Sequence, residues 1–280
     1  MSKNALRVFD GGVAVVTGGA SGIGRALAEE LASRGCEVVV ADRQTELAEE
    51  VVSAIREAGG TASAFNLDVT DYEAVENMLR ETVERSGRLD FMFNNAGIGI
   101  GGPVGLHNIE DWRLIVDVNL MGVVNGVQSA YPIMAKQEFG HIVNTASLAG
   151  LVSVAGSVAY ASTKHGVVGL SKSLRSEVAS EGIRVSVLCP SVIRTPILND
   201  GGKYGKSLVE MSPEQEREMW EKRKPMPADL FAVKALDAIA KNKAIVVLPS
   251  RWKVLWGAGR ISPSLGMYLD QKGYEAAQKD

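Results

Sequence analysis

The sequence predicts an α/β protein built as one doubly wound domain around a parallel sheet. Three observations predict it. Short apolar segments alternate regularly with longer amphipathic ones, the short segments are almost continuously apolar, and a glycine cluster joins the first of them to the first amphipathic run. Unbroken Val/Ile-rich strands suit a sheet covered on both faces. Strand–helix alternation of this regularity implies βαβ units with right-handed crossovers.

Taken in order, strands are expected at 13–17, 37–41, 62–67, 89–94, 141–146, 183–189 and 244–248. Helices are expected at 22–34, 45–58, 71–86, 110–135, 158–180 and 228–241. Start signals support two helices. Thr70 with Glu73 has the spacing of a capping box, and so does Ser212 with Gln215, where Pro213 suits a first helical position. No internal repeat or low-complexity linker divides residues 1–280. Residues 191–227 are less regular and read as a substrate lid inserted after a strand, with a turn or hinge at 199–202 and a charged helix over 212–224. Residues 250–280 form a tail beyond the last strand.

With 280 residues, 46% of them hydrophobic, the chain is long enough for a large core. A net charge of −3 and a pI near 5.8 offer no phosphate footprint, so nucleic acid is not an expected partner. Residues 1–12 lack the apolar core of a signal peptide, and no stretch approaches the ~18 apolar residues of a spanning helix. Cys36 and Cys189 lack paired spacing and read as core cysteines of a reducing compartment, the cytoplasm. His107, His141 and His165 have no partner at metal-ligand spacing, so no metal is expected.

The first chemical motif is Gly18-Gly19-Ala20-Ser21-Gly22-Ile23-Gly24, directly after the strand ending at Thr17. Gly18 permits a tight turn, Gly22 a close approach of phosphate to backbone, and Gly24 close helix–strand packing. The helix N-terminus turns its free N–H groups toward the anion. The spacing is Gly-x-x-x-Gly-x-Gly rather than the dinucleotide fingerprint Gly-x-Gly-x-x-Gly, yet its place between strand and helix points to nucleotide binding. Asp42 follows 24 residues after Gly18, near the ~20-residue offset at which a carboxylate meets a ribose hydroxyl. It would repel an NADP phosphate, so NAD is the expected cofactor. Arg43 beside it keeps NADP as the alternative.

The second motif is Tyr160-Ala161-Ser162-Thr163-Lys164, with Ser147 13 residues upstream of the tyrosine. On a helix, Tyr160 and Lys164 share a face one turn apart. A phenol is a poor base at neutral pH, and a neighbouring ammonium favours its ionised form. Tyr160 then suits proton exchange with an alcohol or carbonyl oxygen, and Ser147 can hydrogen-bond that same oxygen. Read alone, the pattern arises often by chance, and a surface tyrosine beside a solvated lysine is its default reading.

Context favours the chemical reading. Thr17-Gly18-x-x-x-Gly22-Ile23-Gly24, Asn94-Asn95-Ala96-Gly97, Asn119, Ser147, Tyr160-x-x-x-Lys164, and Pro190 with Thr195 together make the chain, over about residues 11–249, resemble the short-chain dehydrogenase/reductase family. The resemblance implies a Rossmann-type sheet of about seven strands with helices on both faces. It implies Tyr160 as acid/base, Ser147 as partner of the substrate oxygen, and Lys164 as both a depressor of the tyrosine pKa and a ribose ligand. Asn119 would hold a water on the proton path; its apolar helical setting also fits a core asparagine. Asp68 and Val69 would flank the adenine, and Asn95, Ala96 and Gly97 would support the cofactor alongside Ser21 and Ile23. Ile193 and Thr195 would contact the nicotinamide amide. Ser191 stands where the family usually has glycine, which bears on that loop's geometry.

Segments 98–104, 148–154 and 196–198, joined by Met211, Met219 and Trp220 from the lid, suggest an apolar pocket for a hydrophobic secondary alcohol or ketone. Arg194 and Lys203 leave a charged substrate open. An epimerase or dehydratase, and a non-catalytic cofactor-sensing module, are the less favoured alternatives. The tail, with Arg251, Trp252, Lys253, Trp256, Arg260 and Tyr268, is read first as an oligomer contact. Pocket closure and a lipid surface over 251–268 rank behind it, since Gly257, Gly259 and Pro263 are expected to interrupt a long amphipathic helix. The resemblance implies a homodimer or homotetramer packed through the helices that hold Asn119 and Tyr160.

Overall fold

The structure, a computed structural model, describes residues 6–198 and 204–277; the expected turn at 199–202 and Lys203 lie outside them. The elements run β1 (Val13–Thr17), α1 (Gly22–Ser33), β2 (Glu37–Asp42), α2 (Thr45–Glu57), β3 (Thr61–Asn66), α3 (Tyr72–Ser86) and β4 (Phe91–Asn94). They continue as α4 (Ile109–Val116), α5 (Gly122–Gln137), β5 (Gly140–Thr145), α6 (Val158–Glu177), β6 (Ile183–Pro190), α7 (Pro213–Glu221), α8 (Ala228–Ala240), β7 (Ile245–Leu248), α9 (Lys253–Ile261) and α10 (Pro263–Ala277).

The seven strands form one parallel sheet in the order β7-β6-β5-β4-β1-β2-β3. The chain winds outward from β1 through β2 to β3 and then returns to add β4 on the other side. The reversal leaves a crevice at the carboxyl ends of β1 and β4, where ligands of such sheets bind. Alternate residues of each strand serve opposite cores. Val16, Val38, Val40, Phe91 and Phe93 pack with Leu27, Leu31, Val51, Leu236 and Ile239 beneath α1, α2 and α8. Val15, Val39, Met92, Ile142 and Val185 pack with Met78, Leu79, Val127, Met134 and Val167 beneath α3, α5 and α6. Both faces are thus apolar, which is why the strands read as unbroken hydrophobic runs.

Differences from the sequence expectation have local causes. β4 begins at Phe91 because Asp90 is used as a staple: its carboxylate accepts from the N–H groups of Arg7 at 2.9 Å and Val13 at 3.0 Å, and pairs with Arg88. The expected Thr70/Glu73 box is absent. Asp71 caps α3 instead, accepting from the Ala74 N–H at 3.0 Å, while Thr70 turns its hydroxyl to Asp68. Ser212 and Gln215 do form a capping box, with Pro213 opening α7. The expected helix over 110–135 is helical through 109–137, but Asp117–Met121 between α4 and α5 is a π turn. α9 runs through Gly257 and Gly259, so neither interrupts it; the break falls at Pro263, which opens α10.

Candidate active site

The turn after β1 is fixed by contacts that leave no room for side chains. A Cβ on Gly18 would lie 2.9 Å from the Ala96 Cα, and one on Gly24 would lie 2.0 Å from the Gly18 carbonyl oxygen. Gly18 and Gly22 also have φ of 63° and 54°, a region that favours glycine. Thr17 ties the turn to the end of β4: its hydroxyl oxygen accepts from the N–H groups of Asn95 at 2.9 Å and Ala96 at 3.1 Å. The Asn95 amide donates to the Thr17 carbonyl at 3.0 Å, and the Thr145 hydroxyl donates to the Asn95 Oδ1 at 3.2 Å. Ser21 stands extended at the N-cap of α1 without a side-chain cap, and no acidic residue occupies the first turn, which includes Ile23. These features fit a dinucleotide pyrophosphate, because the helix donors and dipole are not already engaged by a protein carboxylate.

Asp42, 7% exposed, ends β2 beside this turn. Its Oδ2 accepts from the Ala20 N–H at 3.1 Å and its Oδ1 from the Gln44 N–H at 3.0 Å, so the carboxylate is held at the crevice. Arg43 is exposed. Asp68 accepts from the Thr70 N–H and hydroxyl, and buried Val69 is fixed through its carbonyl by the Asn125 amide at 2.9 Å. Ile193 is buried, and Thr195 packs over Gly22, its Cβ 3.2 Å from where a glycine Cβ would lie. The loop after β6 therefore lies against the nucleotide turn.

Ser147, Tyr160 and Lys164 converge from two elements. Ser147 follows β5 and caps a short 3₁₀ turn; its Oγ accepts from the Ala149 N–H at 3.2 Å and donates to the Pro190 carbonyl at 3.4 Å. Tyr160 and Lys164 lie one turn apart on α6, with the ammonium 5.6 Å from the ring centroid. Lys164 is 3% exposed and donates to the Thr145 carbonyl at 3.1 Å. Burial lowers its pKa to about 8, opposed by neighbouring Cys189. The Tyr160 pKa is raised by burial, an effect that a hydrogen bond with Ser147 partly offsets. Burial is the largest of these effects, and Cys189 adds to it.

Asn119 is fully buried at the π turn. Its Oδ1 accepts from the Ile98 N–H at 2.8 Å and its Nδ2 donates to the Ile98 carbonyl at 2.9 Å. The side chain thus clamps the strand-end loop. A Cβ on Gly97 would lie 3.1 Å from the Asn119 Oδ1 and 3.4 Å from the Lys164 Nζ, so Gly97 lets this loop and the lysine meet.

Tyr160 also packs with Ile98, Ile100, Trp112, Ile115 and Leu208 in a small apolar cluster. Other expected pocket residues are engaged elsewhere or exposed: Arg194 is ion-paired with Glu221, and Met211 is exposed. Sequence reasoning placed Thr17 in the glycine motif without giving it a role, and passed over Thr145, Gln44, Tyr204 and Leu208. Thr17 and Thr145 sit at strand ends, where their hydroxyls are ordinary in a sequence. Tyr204 accepts from the Gly99 N–H at 2.9 Å through its carbonyl and from the Gln44 amide at 3.1 Å through its hydroxyl. Those contacts join segments far apart in sequence and leave no local signal. His141 is buried, its pKa lowered to about 3 by desolvation, with Nε2 2.9 Å from the Ser186 Oγ. His107 and His165 contact the backbone carbonyls of Gly102 and Ala161.

Comparison with known proteins identifies the family. Residues 12–203 match the family described as short chain dehydrogenase. The chain is 38% identical over 191 residues to meso-2,3-butanediol dehydrogenase of Serratia marcescens, covering 68% of this chain and 75% of that protein. It is 38% identical over 199 residues to cyclohexanol dehydrogenase of Acinetobacter sp. (strain SE19), covering 71% and 79% respectively. A short-chain dehydrogenase/reductase from Burkholderia phymatum, solved in complex with NAD, superposes with a TM-score of 0.83 at 31% identity, covering 92% of this chain and 96% of that one. Levodione reductase superposes with a TM-score of 0.78 at 32% identity, covering 86% and 96%. The chain belongs to the short-chain dehydrogenase/reductase family and is an oxidoreductase of the class that uses NAD or NADP.

The buried lysine makes a stability prediction. Its folded pKa of about 8 lies below its ordinary 10.5, so between those values the unfolded chain binds more protons and stability rises with pH. Denaturant titrations of the parent and Lys164→Met proteins should therefore diverge. The parent should gain about 3 kcal/mol relative to the variant as pH rises through that window, whereas parallel curves would contradict the burial of an ammonium.

Proposed function

We propose that the chain is an NAD-dependent dehydrogenase that interconverts a hydrophobic secondary alcohol and its ketone. Its chief support is the meeting of Ser147, Tyr160 and Lys164 at the carboxyl edge of the sheet, beside a glycine turn with a carboxylate at the next strand end. In this reading Gly18, Ser21, Gly22, Ile23 and Gly24 receive the pyrophosphate, and Asp42 accepts from the adenosine ribose. Asp68 and Val69 flank the adenine, while Asn95, Ala96, Gly97, Ile193 and Thr195 hold the nicotinamide half. A bound nicotinamide supplies the two-electron acceptor or donor.

Tyr160 exchanges a proton with the substrate oxygen, and Ser147 hydrogen-bonds that oxygen and fixes its distance from the phenol. Lys164 donates to the cofactor ribose and, from beneath the ring, favours the phenolate once a cationic nicotinamide adds its charge. Asn119 positions the Ile98 loop that faces them. The names of the relatives, butanediol dehydrogenase and cyclohexanol dehydrogenase, support a small secondary alcohol, and the apolar residues around Tyr160 support a lipophilic one. The insertion over 191–227 acts as a lid: its strand Gly205–Ser207 pairs with Gly99–Gly101, and Lys206 is ion-paired with buried Asp111.

Assay with both cofactors across a panel of alcohols tests the substrate reading. Lipophilic secondary alcohols should be oxidised fastest, and Tyr160→Phe should lower kcat about 10²–10⁴-fold while the Kd for NAD stays near the parent value. Faster turnover of sugars or hydroxy acids, or an active phenylalanine variant, would overturn it.

The buried carboxylate of Asp42 favours NAD, since a phosphate at ~4 Å would be repelled by about 1–4 kcal/mol per charge pair. Exposed Arg43 is the feature on the NADP side. Asp42→Ala should raise the ratio of kcat/KM with NADP to that with NAD by about tenfold or more; a parent enzyme that already prefers NADP would refute the assignment.

The outer faces of α5 and α6 enclose a groove lined by Val124, Val127, Gln128, Leu170, Ser173 and Leu174. Homo-oligomer packing through this face accords with that groove, while Cys36 and Cys189, both free and buried with thiol pKa values that burial raises to about 12, accord with a cytoplasmic protein. Sedimentation at micromolar concentration should give a dimer or tetramer; a monomer would refute the packing.

A further inference from the structure

We propose that the α9–α10 hairpin is a docking surface for the anionic face of a lipid bilayer. It is independent of the catalytic reading. The hairpin carries the most exposed large apolar side chains among the described residues, Ile261 at 89% and Val254 at 77%. Val254, Ala258 and Ile261 recur at i, i+4 and i+7, so they form one stripe along α9. Leu265 and Leu269 on α10 are also about half exposed.

This stripe faces away from the fold because the other side of α9 is already committed. Trp252 and Trp256 pack on the core beneath the sheet. The two helices cross closely, a Cβ on Gly266 lying 3.6 Å from the Gly259 Cα. The middle of α10 is tied down as well: Asp270 accepts from the Ala155 N–H at 2.9 Å. The apolar stripe is therefore held on a firm base rather than being a frayed end.

Charge identifies the occupant. Residues 251–261 hold Arg251, Lys253 and Arg260 and no acidic residue, in a chain whose net charge is −3. Arg251 is turned back onto the fold, donating to the carbonyls of Arg223 and Lys224 at 3.3 and 3.1 Å, so Lys253 and Arg260, each one residue before a stripe position, are the exposed bases beside it. An apolar stripe flanked by exposed bases matches the boundary between acyl chains and anionic headgroups. A second copy is the competing occupant, and the sedimentation measurement below separates the two. No helix among the described residues is long and apolar enough to cross a membrane, so the contact is with the surface.

Flotation of the full chain with phosphatidylcholine vesicles, with and without phosphatidylglycerol, tests this. The parent should float only with the anionic vesicles and be released by high salt. Val254→Asp combined with Ile261→Asp should lower partitioning about tenfold or more. Lys253→Glu and Arg260→Glu should each lower it about fivefold or more, with circular dichroism confirming the fold. If a variant fails to fold, the lipid and salt dependence of the parent decides. No flotation, or equal flotation with neutral vesicles, would overturn the proposal. So would a fall in sedimented mass on Ile261→Asp, which would assign the stripe to a second copy.

Discussion

A lysine ammonium loses several kcal/mol of hydration when it is taken out of water, and Lys164 is taken out almost entirely. Its compensation within the protein is one carbonyl, that of Thr145, at the end of β5. Much of the site follows from arranging backbone around that charge. Gly97 lacks a side chain where the lysine approaches, Asn119 holds the adjoining loop by both edges of the Ile98 peptide, and Asn95 links the end of β4 to both Thr17 and Thr145. The donors and acceptors of three strand ends are thereby spent on one another. Among the described residues the ammonium donates to that one carbonyl and lies beside a phenol, the kind of juxtaposition the proposed chemistry needs.

The parts of this arrangement that are legible in the sequence are those set by short-range sterics. Gly18, Gly22 and Gly24 follow a strand, and the contacts a Cβ would meet at Gly18 and Gly24 show why no larger residue fits. Tyr160 and Lys164 share a helical face by spacing alone. The unbroken apolar strands announce a sheet with two covered faces, and both cores are present. Element ends were less legible where two local solutions compete: Thr70 and Asp71 both offer an oxygen to α3, and Asp71 takes the cap because Thr70 is drawn to Asp68.

What the sequence hides is set by contacts at long separation. Nothing in residues 110–135 announces the π turn at Asp117–Met121, since its buried Asn119 is held by Ile98, 21 residues away. Tyr204 and Gln44 meet across 160 residues. The ionisation of Tyr160 is likewise a property of the folded environment. Spacing alone suggests an ammonium that favours phenolate, whereas burial pushes the phenol the other way. A phenol held neutral in the protein alone and released by a cationic partner would keep the base from being active before that partner arrives.

That account is tested most directly by the ionisation of Tyr160 itself, followed by NMR of ring-labelled tyrosine with Tyr160→Phe to assign the signal. The phenol should titrate above the ordinary tyrosine range in the protein alone and move downward when NAD is added. A Tyr160 already ionised near neutral pH without cofactor, or one whose titration NAD leaves unchanged, would contradict it.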